Sequence, residues 1–78
     1  MSQLIAQSLV KDMTEKCAPG STWTPGTHSF KVKYDGRCYP SLPKHQDIEI
    51  GHIRKMVRHL QIDRKCATAQ IPALKLSN

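Results

Sequence analysis

Phe30-Lys31-Val32-Lys33-Tyr34-Asp35-Gly36-Arg37-Cys38-Tyr39 is the stretch that decides the fold. Apolar and basic residues alternate from Phe30 to Tyr34, the period of a strand with one buried face. Asp35-Gly36 signals a two-residue type I′ turn, because that turn needs positive φ at both positions. The return strand runs from Arg37 to Ser41. So short a turn fixes the register. Tyr34 opposes Arg37, Lys33 opposes Cys38 and Val32 opposes Tyr39. Phe30, Val32 and Tyr39 then share the core face, and Lys31 and Lys33 point outward. Pro40 and Pro43 mark an edge strand that soon leaves the sheet.

Working back toward the N-terminus, Pro25-Gly26 is a turn signal and Ser21-Thr22-Trp23-Thr24 a short β-prone piece. A lone tryptophan in so small a domain is expected in the core. Ser2 to Lys16 reads as a helix with Ser2 as N-cap. Ile5, Leu9, Val10 and Met13 fall at helical spacing and leave Gln3, Gln7, Lys11 and Thr14 outward. Cys17-Ala18-Pro19-Gly20 ends it, since proline cannot continue the ladder and glycine permits the exit.

Working forward, Ile48 to Ile62 contains a second helix, from about Gly51 onward. Ile53, Met56, Val57 and Leu60 form an i, i+3, i+4, i+7 stripe. The opposite face holds His52, Arg54, Lys55, Arg58, His59 and Gln61. Beyond Asp63 the pattern fades. The expectation is one domain over residues 1–62, followed by a flexible or weakly docked tail over 63–78. The fold class is α+β. The order α-β-β-β-α gives a three-stranded antiparallel sheet with two helices on one face, the layout of double-stranded-RNA-binding domains.

The chain has 78 residues, with 12 Lys+Arg against 6 Asp+Glu and a net charge of +6. Its pI is near 9.6. Such a chain has a small core and no room for a large enclosed cofactor. The excess charge raises the expectation of a polyanionic or acidic partner. It is concentrated: Lys31 to Lys65 carries nine Lys/Arg and four Asp/Glu, whereas Lys11 and Lys16 balance Asp12 and Glu15 in the first twenty residues. Cys17, Cys38 and Cys66 are odd in number, widely spaced and form no CxxC. They read as free thiols in a reducing cytoplasm, not as a disulfide framework or zinc knuckle. Lys11 and Asp12 interrupt the N-terminal apolar pattern, which excludes a signal peptide or membrane span there.

The sequence offers no Ser/His/Asp or Cys/His set, no phosphate-cradling glycine loop and no paired carboxylates. His52 and His59 lie seven apart on a helix, roughly 10 Å along its axis, too far to share one zinc. No metal and no cofactor is expected. His28 stands between the Pro25-Gly26 turn and the strand-like run, where an imidazole can exchange a proton near neutral pH. Arg54/Arg58 and Lys55/His59 are like-charged i, i+4 pairs, whose repulsion an anionic partner would relieve. Arg54, Lys55 and Arg58 are therefore candidate phosphate contacts, with a solvated helix face as the plainer reading.

Taken together, these pieces resemble the HicA-type toxins, small RNA-cleaving proteins of bacterial toxin–antitoxin systems. The residues that carry the resemblance are Gly26-Thr27-His28, then Phe30, Asp35-Gly36-Arg37, Leu42-Pro43-Lys44-His45, and Ile50-Gly51-His52-Ile53-Arg54-Lys55-Met56. It covers roughly residues 3–62, and its specificity lies in the order and spacing of the motifs. The first strand departs from the family, being more polar and flanked by Pro19 and Pro25.

The resemblance implies a double-stranded-RNA-binding-like fold and a metal-independent endoribonuclease that cuts mRNA with His28 as its catalytic residue. It also implies a HicB-type antitoxin as partner and a cytoplasmic location. Lys44, Lys31 and Arg37 are the candidate cations for the phosphoryl oxygens. The expected RNA-contacting set is Thr27, Lys31, Lys33, Arg37, Lys44, His45, Arg54, Lys55 and Arg58. The competing reading is a non-catalytic RNA-binding or protein-docking module of the same fold. A DNA-binding regulator ranks below both, because strands and not a helix precede the basic helix.

Overall fold

The computed structural model describes residues 3–76. The hairpin forms in the expected register. β3 (Ser29–Tyr34) pairs antiparallel with β4 (Arg37–Pro43), with Tyr34 opposite Arg37, Lys33 opposite Cys38 and Val32 opposite Tyr39. Asp35 and Gly36 have φ of 51° and 78°, as the turn requires. β2 (Thr22–Pro25) pairs with the other edge of β3. The result is a three-stranded antiparallel sheet in the order β2-β3-β4. β4 continues to Pro43, two residues beyond its expected end. It does so through a bulge, because the register slips between Phe30 and Val32 and leaves Pro40 and Ser41 opposite Lys31. The Ser29 hydroxyl donates to the Pro40 carbonyl at 2.9 Å there.

α1 (Gln7–Cys17) and α2 (Ile50–Leu60) lie on the face of the sheet that carries Phe30, Val32, Tyr39 and Leu42. In α2 the expected stripe of Ile53, Met56, Val57 and Leu60 is fully buried. The chain is α+β, with this three-stranded sheet and its helices.

α1 begins later than the sequence predicts, and Ser2 lies outside the described residues. Leu4–Ala6 instead forms a short strand, β1, paired antiparallel with β5 (Asp47–Glu49). Gln7 donates its N–H to the Gln46 carbonyl and Ile50 donates to the Gln3 carbonyl, both at 2.8 Å. The ribbon thus satisfies backbone groups that a longer helix would have satisfied internally. The buried stripe of α1 shifts to Val10, Met13, Thr14 and Cys17, and Leu9 is 38% exposed. Thr14, expected outside, is buried because its hydroxyl bonds in both directions. It donates to the Lys11 carbonyl at 2.8 Å and accepts from Trp23 Nε1 at 3.2 Å. That bond holds Trp23 half-buried at the rim, not within the core as expected.

The expected tail is the largest correction. Arg64–Gln70 forms α3, capped by the Asp63 side chain, which accepts from the Cys66 N–H at 3.0 Å. A 3₁₀ turn follows over Pro72–Leu74. Ala67, Ile71 and Leu74 are buried with the main cluster, so this segment completes the core. The thiol reading is corrected too. Cys17 at the end of α1 and Cys66 in α3 form a disulfide across 49 residues, and Cys38 remains a free, half-buried thiol. Among the described residues no helix is long and apolar enough to cross a membrane.

Candidate RNA-binding and cleavage surface

His28 sits exposed in the turn Gly26-Thr27-His28 between β2 and β3. The Gly26 N–H donates to the Ser29 carbonyl at 2.8 Å and closes the turn. A Cβ at position 26 would stand 2.9 Å from that same carbonyl oxygen, so only glycine fits without opening the turn. Thr27 is exposed beside His28. Lys44, from the link between β4 and β5, donates its Nζ to the Gly26 carbonyl at 3.1 Å. Of the three candidate cations, Lys44 is the one anchored to the histidine's turn.

The same corner contains a cation that sequence reasoning missed. Lys11 Nζ lies 5.4 Å from the centre of the Trp23 ring and 5.6 Å from that of Phe30. Lys44 Nζ lies 6.0 Å from the Phe30 ring centre. Trp23 and Phe30 meet edge to face, with centroids 5.2 Å apart. Two ammonium groups therefore flank one aromatic ring beside the His28 turn. The helical pattern placed Lys11 outward but gave no sign that α1 would lie across the start of β3. His45 is exposed in the same link, one residue beyond Lys44.

The other expected contacts are dispersed. Arg37 lies at the far end of the hairpin, roughly 17 Å along β3 from the His28 turn. It pairs with Asp35 at 3.4 Å, an exposed ion pair of small energetic weight. Lys31 and Lys33 stand opposite Thr24 and Thr22 and are exposed on the face of the sheet away from the helices. Arg54 is taken up internally: its Nε donates to the Leu74 carbonyl at 3.0 Å and its Nη2 to the Ala73 carbonyl at 3.2 Å. Lys55 and Arg58 remain exposed on α2.

Comparison with protein-family models, curated proteins and solved structures finds no match. Among the described residues no group of three or more His, Cys, Asp or Glu side chains is placed to hold a metal ion. What the corner around Gly26 does offer is a solvent-facing imidazole, a lysine anchored to its turn and a second lysine over the adjoining aromatic pair. That combination suits a phosphodiester approached from solvent: a proton acceptor beside fixed positive charge.

Proposed function

We propose that this chain is a HicA-like toxin: a metal-independent endoribonuclease that cuts mRNA in the cytoplasm and is neutralised by a HicB-type antitoxin. The observation that supports this reading is one closed turn that exposes His28 and takes the Lys44 ammonium on its Gly26 carbonyl. In the proposed reaction the His28 imidazole removes the proton from a ribose 2′-hydroxyl. The 2′-oxygen attacks the adjacent phosphorus, and the bond to the 5′-oxygen of the next nucleotide breaks. The departing oxygen takes a proton from the imidazolium or from water. The products are a 2′,3′-cyclic phosphate and a 5′-hydroxyl. Lys44 spends one N–H on Gly26 and has two more for the phosphoryl oxygens. Positive charge held there stabilises the charge that develops on them.

The non-catalytic module is the second reading. It draws support from Lys31, Lys33, Lys55 and Arg58, which are exposed outside the His28 turn. Both readings are tested by incubating the purified protein with a long messenger RNA in EDTA, beside His28→Ala and a Lys55→Ala/Arg58→Ala double variant. The ribonuclease reading expects cutting by wild type and none by His28→Ala, which still binds RNA. Wild-type protein that binds RNA and never cuts it would overturn catalysis and leave the binding module.

A further inference from the structure

A second basic site lies where Tyr39 of β4 meets α2. An open depression of about 460 Å³ is lined by Tyr39, Lys55, Arg58 and His59. Tyr39 forms its floor and is only 9% exposed. Its ring meets the His59 imidazole edge to face, with centroids 5.9 Å apart and planes 61° apart. That contact orients an otherwise exposed imidazole. Lys55 precedes Arg58 by three residues and His59 by four, so one helical face gathers all three around the aromatic floor. Among the described residues no acidic side chain lines the depression. Arg54, one position away, is bound to backbone carbonyls, so the cations of this site are the ones α2 leaves to solvent.

We propose that Tyr39, Lys55, Arg58 and His59 form a nucleotide-binding subsite, in which a base lies on the His59 imidazole above Tyr39 and the phosphate is held by Lys55 and Arg58. Histidine and arginine planes are both platforms on which unpaired bases stack, and a lysine beside them supplies the charge for the backbone. The proposal rests on the RNA reading of this surface but not on cleavage. The nucleotide held there is not the one that is cut. Pro43 pairs with Ser29, next to His28, and Tyr39 lies roughly 13 Å back along β4. The subsite would therefore grip an RNA strand at a distance from the scissile bond and lay it across the seam of β4 and α2.

The test is an NMR titration of the wild-type protein with adenosine 5′-monophosphate and, separately, with inorganic phosphate. The expected result is movement of the Tyr39 and His59 ring signals. AMP should bind tighter than phosphate by roughly fivefold or more, the contribution of one stacked base. His59→Ala should remove the advantage of AMP, and Lys55→Ala/Arg58→Ala should weaken both ligands. Equal affinity for AMP and phosphate would overturn the proposal, as would shifts confined to His28 and Lys44. Because the titration reads no cleavage, an inactive His28 would leave it standing, and a vacant Tyr39 site would leave catalysis standing.

Discussion

Lys44 crosses from the β4–β5 link to the β2–β3 turn and ties its Nζ to the carbonyl of Gly26 at 3.1 Å. One ammonium group thus both braces the turn that carries His28 and anchors a positive charge to it. Lys44→Met keeps the apolar stem and removes the charge. Cleavage should fall by about tenfold or more, as when one preorganised donor is lost. Stability should change by only about 0.5–1 kcal/mol, because the hydrogen bond is exposed. Lys44→Arg should retain part of the activity. Single-turnover cleavage and thermal melts on the same samples check this, and wild-type cutting by Lys44→Met would remove Lys44 from the mechanism.

Arg54 makes a different prediction from its neighbours on α2. Its two hydrogen bonds to Leu74 and Ala73 hold the C-terminal segment against the helix. Arg54→Ala should destabilise the fold by about 2–3 kcal/mol, since charged donors are lost from a partly buried site. Trypsin should then cut faster at Arg64 and Lys65. RNA affinity of the folded fraction should stay near that of wild type, whereas Lys55→Ala should lower it. A large affinity loss in Arg54→Ala without destabilisation would reverse this assignment.

The disulfide between Cys17 and Cys66 joins α1 to α3 across 49 residues. Closing a loop of that length stabilises the folded state by about 4 kcal/mol through the unfolded chain's lost entropy. Reduction, or Cys66→Ser, should lower the melting temperature by roughly 15 °C or more. The check is a melt with and without reductant. The result bears on location as well, because a reducing cytoplasm keeps most thiols unpaired.

Burial raises the pKa of Tyr39 above its ordinary value of 10.0. The unfolded phenol therefore ionises first. The stability that Tyr39 provides is whole below pH 10 and is lost as the pH climbs through the folded value. Tyr39→Phe should show a flatter loss of stability above pH 10 in denaturant titrations. An unchanged alkaline slope would mean that the hydroxyl is not desolvated.

Which parts of this were legible in the sequence follows from the range of the forces involved. The hairpin register could be read because Asp35-Gly36 permits only one close pairing of its flanks. The α2 stripe could be read because Ile53, Met56, Val57 and Leu60 repeat the helical period without interruption. The β1–β5 ribbon could not, because Leu4–Ala6 and Asp47–Glu49 are too short to show alternation. Ala67, Ile71 and Leu74 do keep a helical spacing, but alanine is a weak apolar signal and Pro72 breaks the run. The pairing of Cys17 with Cys66 emerges only once α1 and α3 are packed together. In the candidate site, His28 was visible from its turn. The reach of Lys44 and the position of Lys11 depend on elements far apart in the chain. The internal bonds of Arg54 could not be read because its partners are backbone carbonyls, which leave no mark in the sequence.

The prolines of the sheet have a further consequence. β2 and β4 are its two edges, and they carry Pro25, Pro40 and Pro43. Near the bulge Pro40 and Pro43 supply no amide donor, and the extra residue bends the strand. The sheet therefore resists extension by a neighbouring chain. Copies of the protein are discouraged from stacking edge to edge at this border. A protein inhibitor arriving there would have to grip through side chains instead of lending a strand of its own.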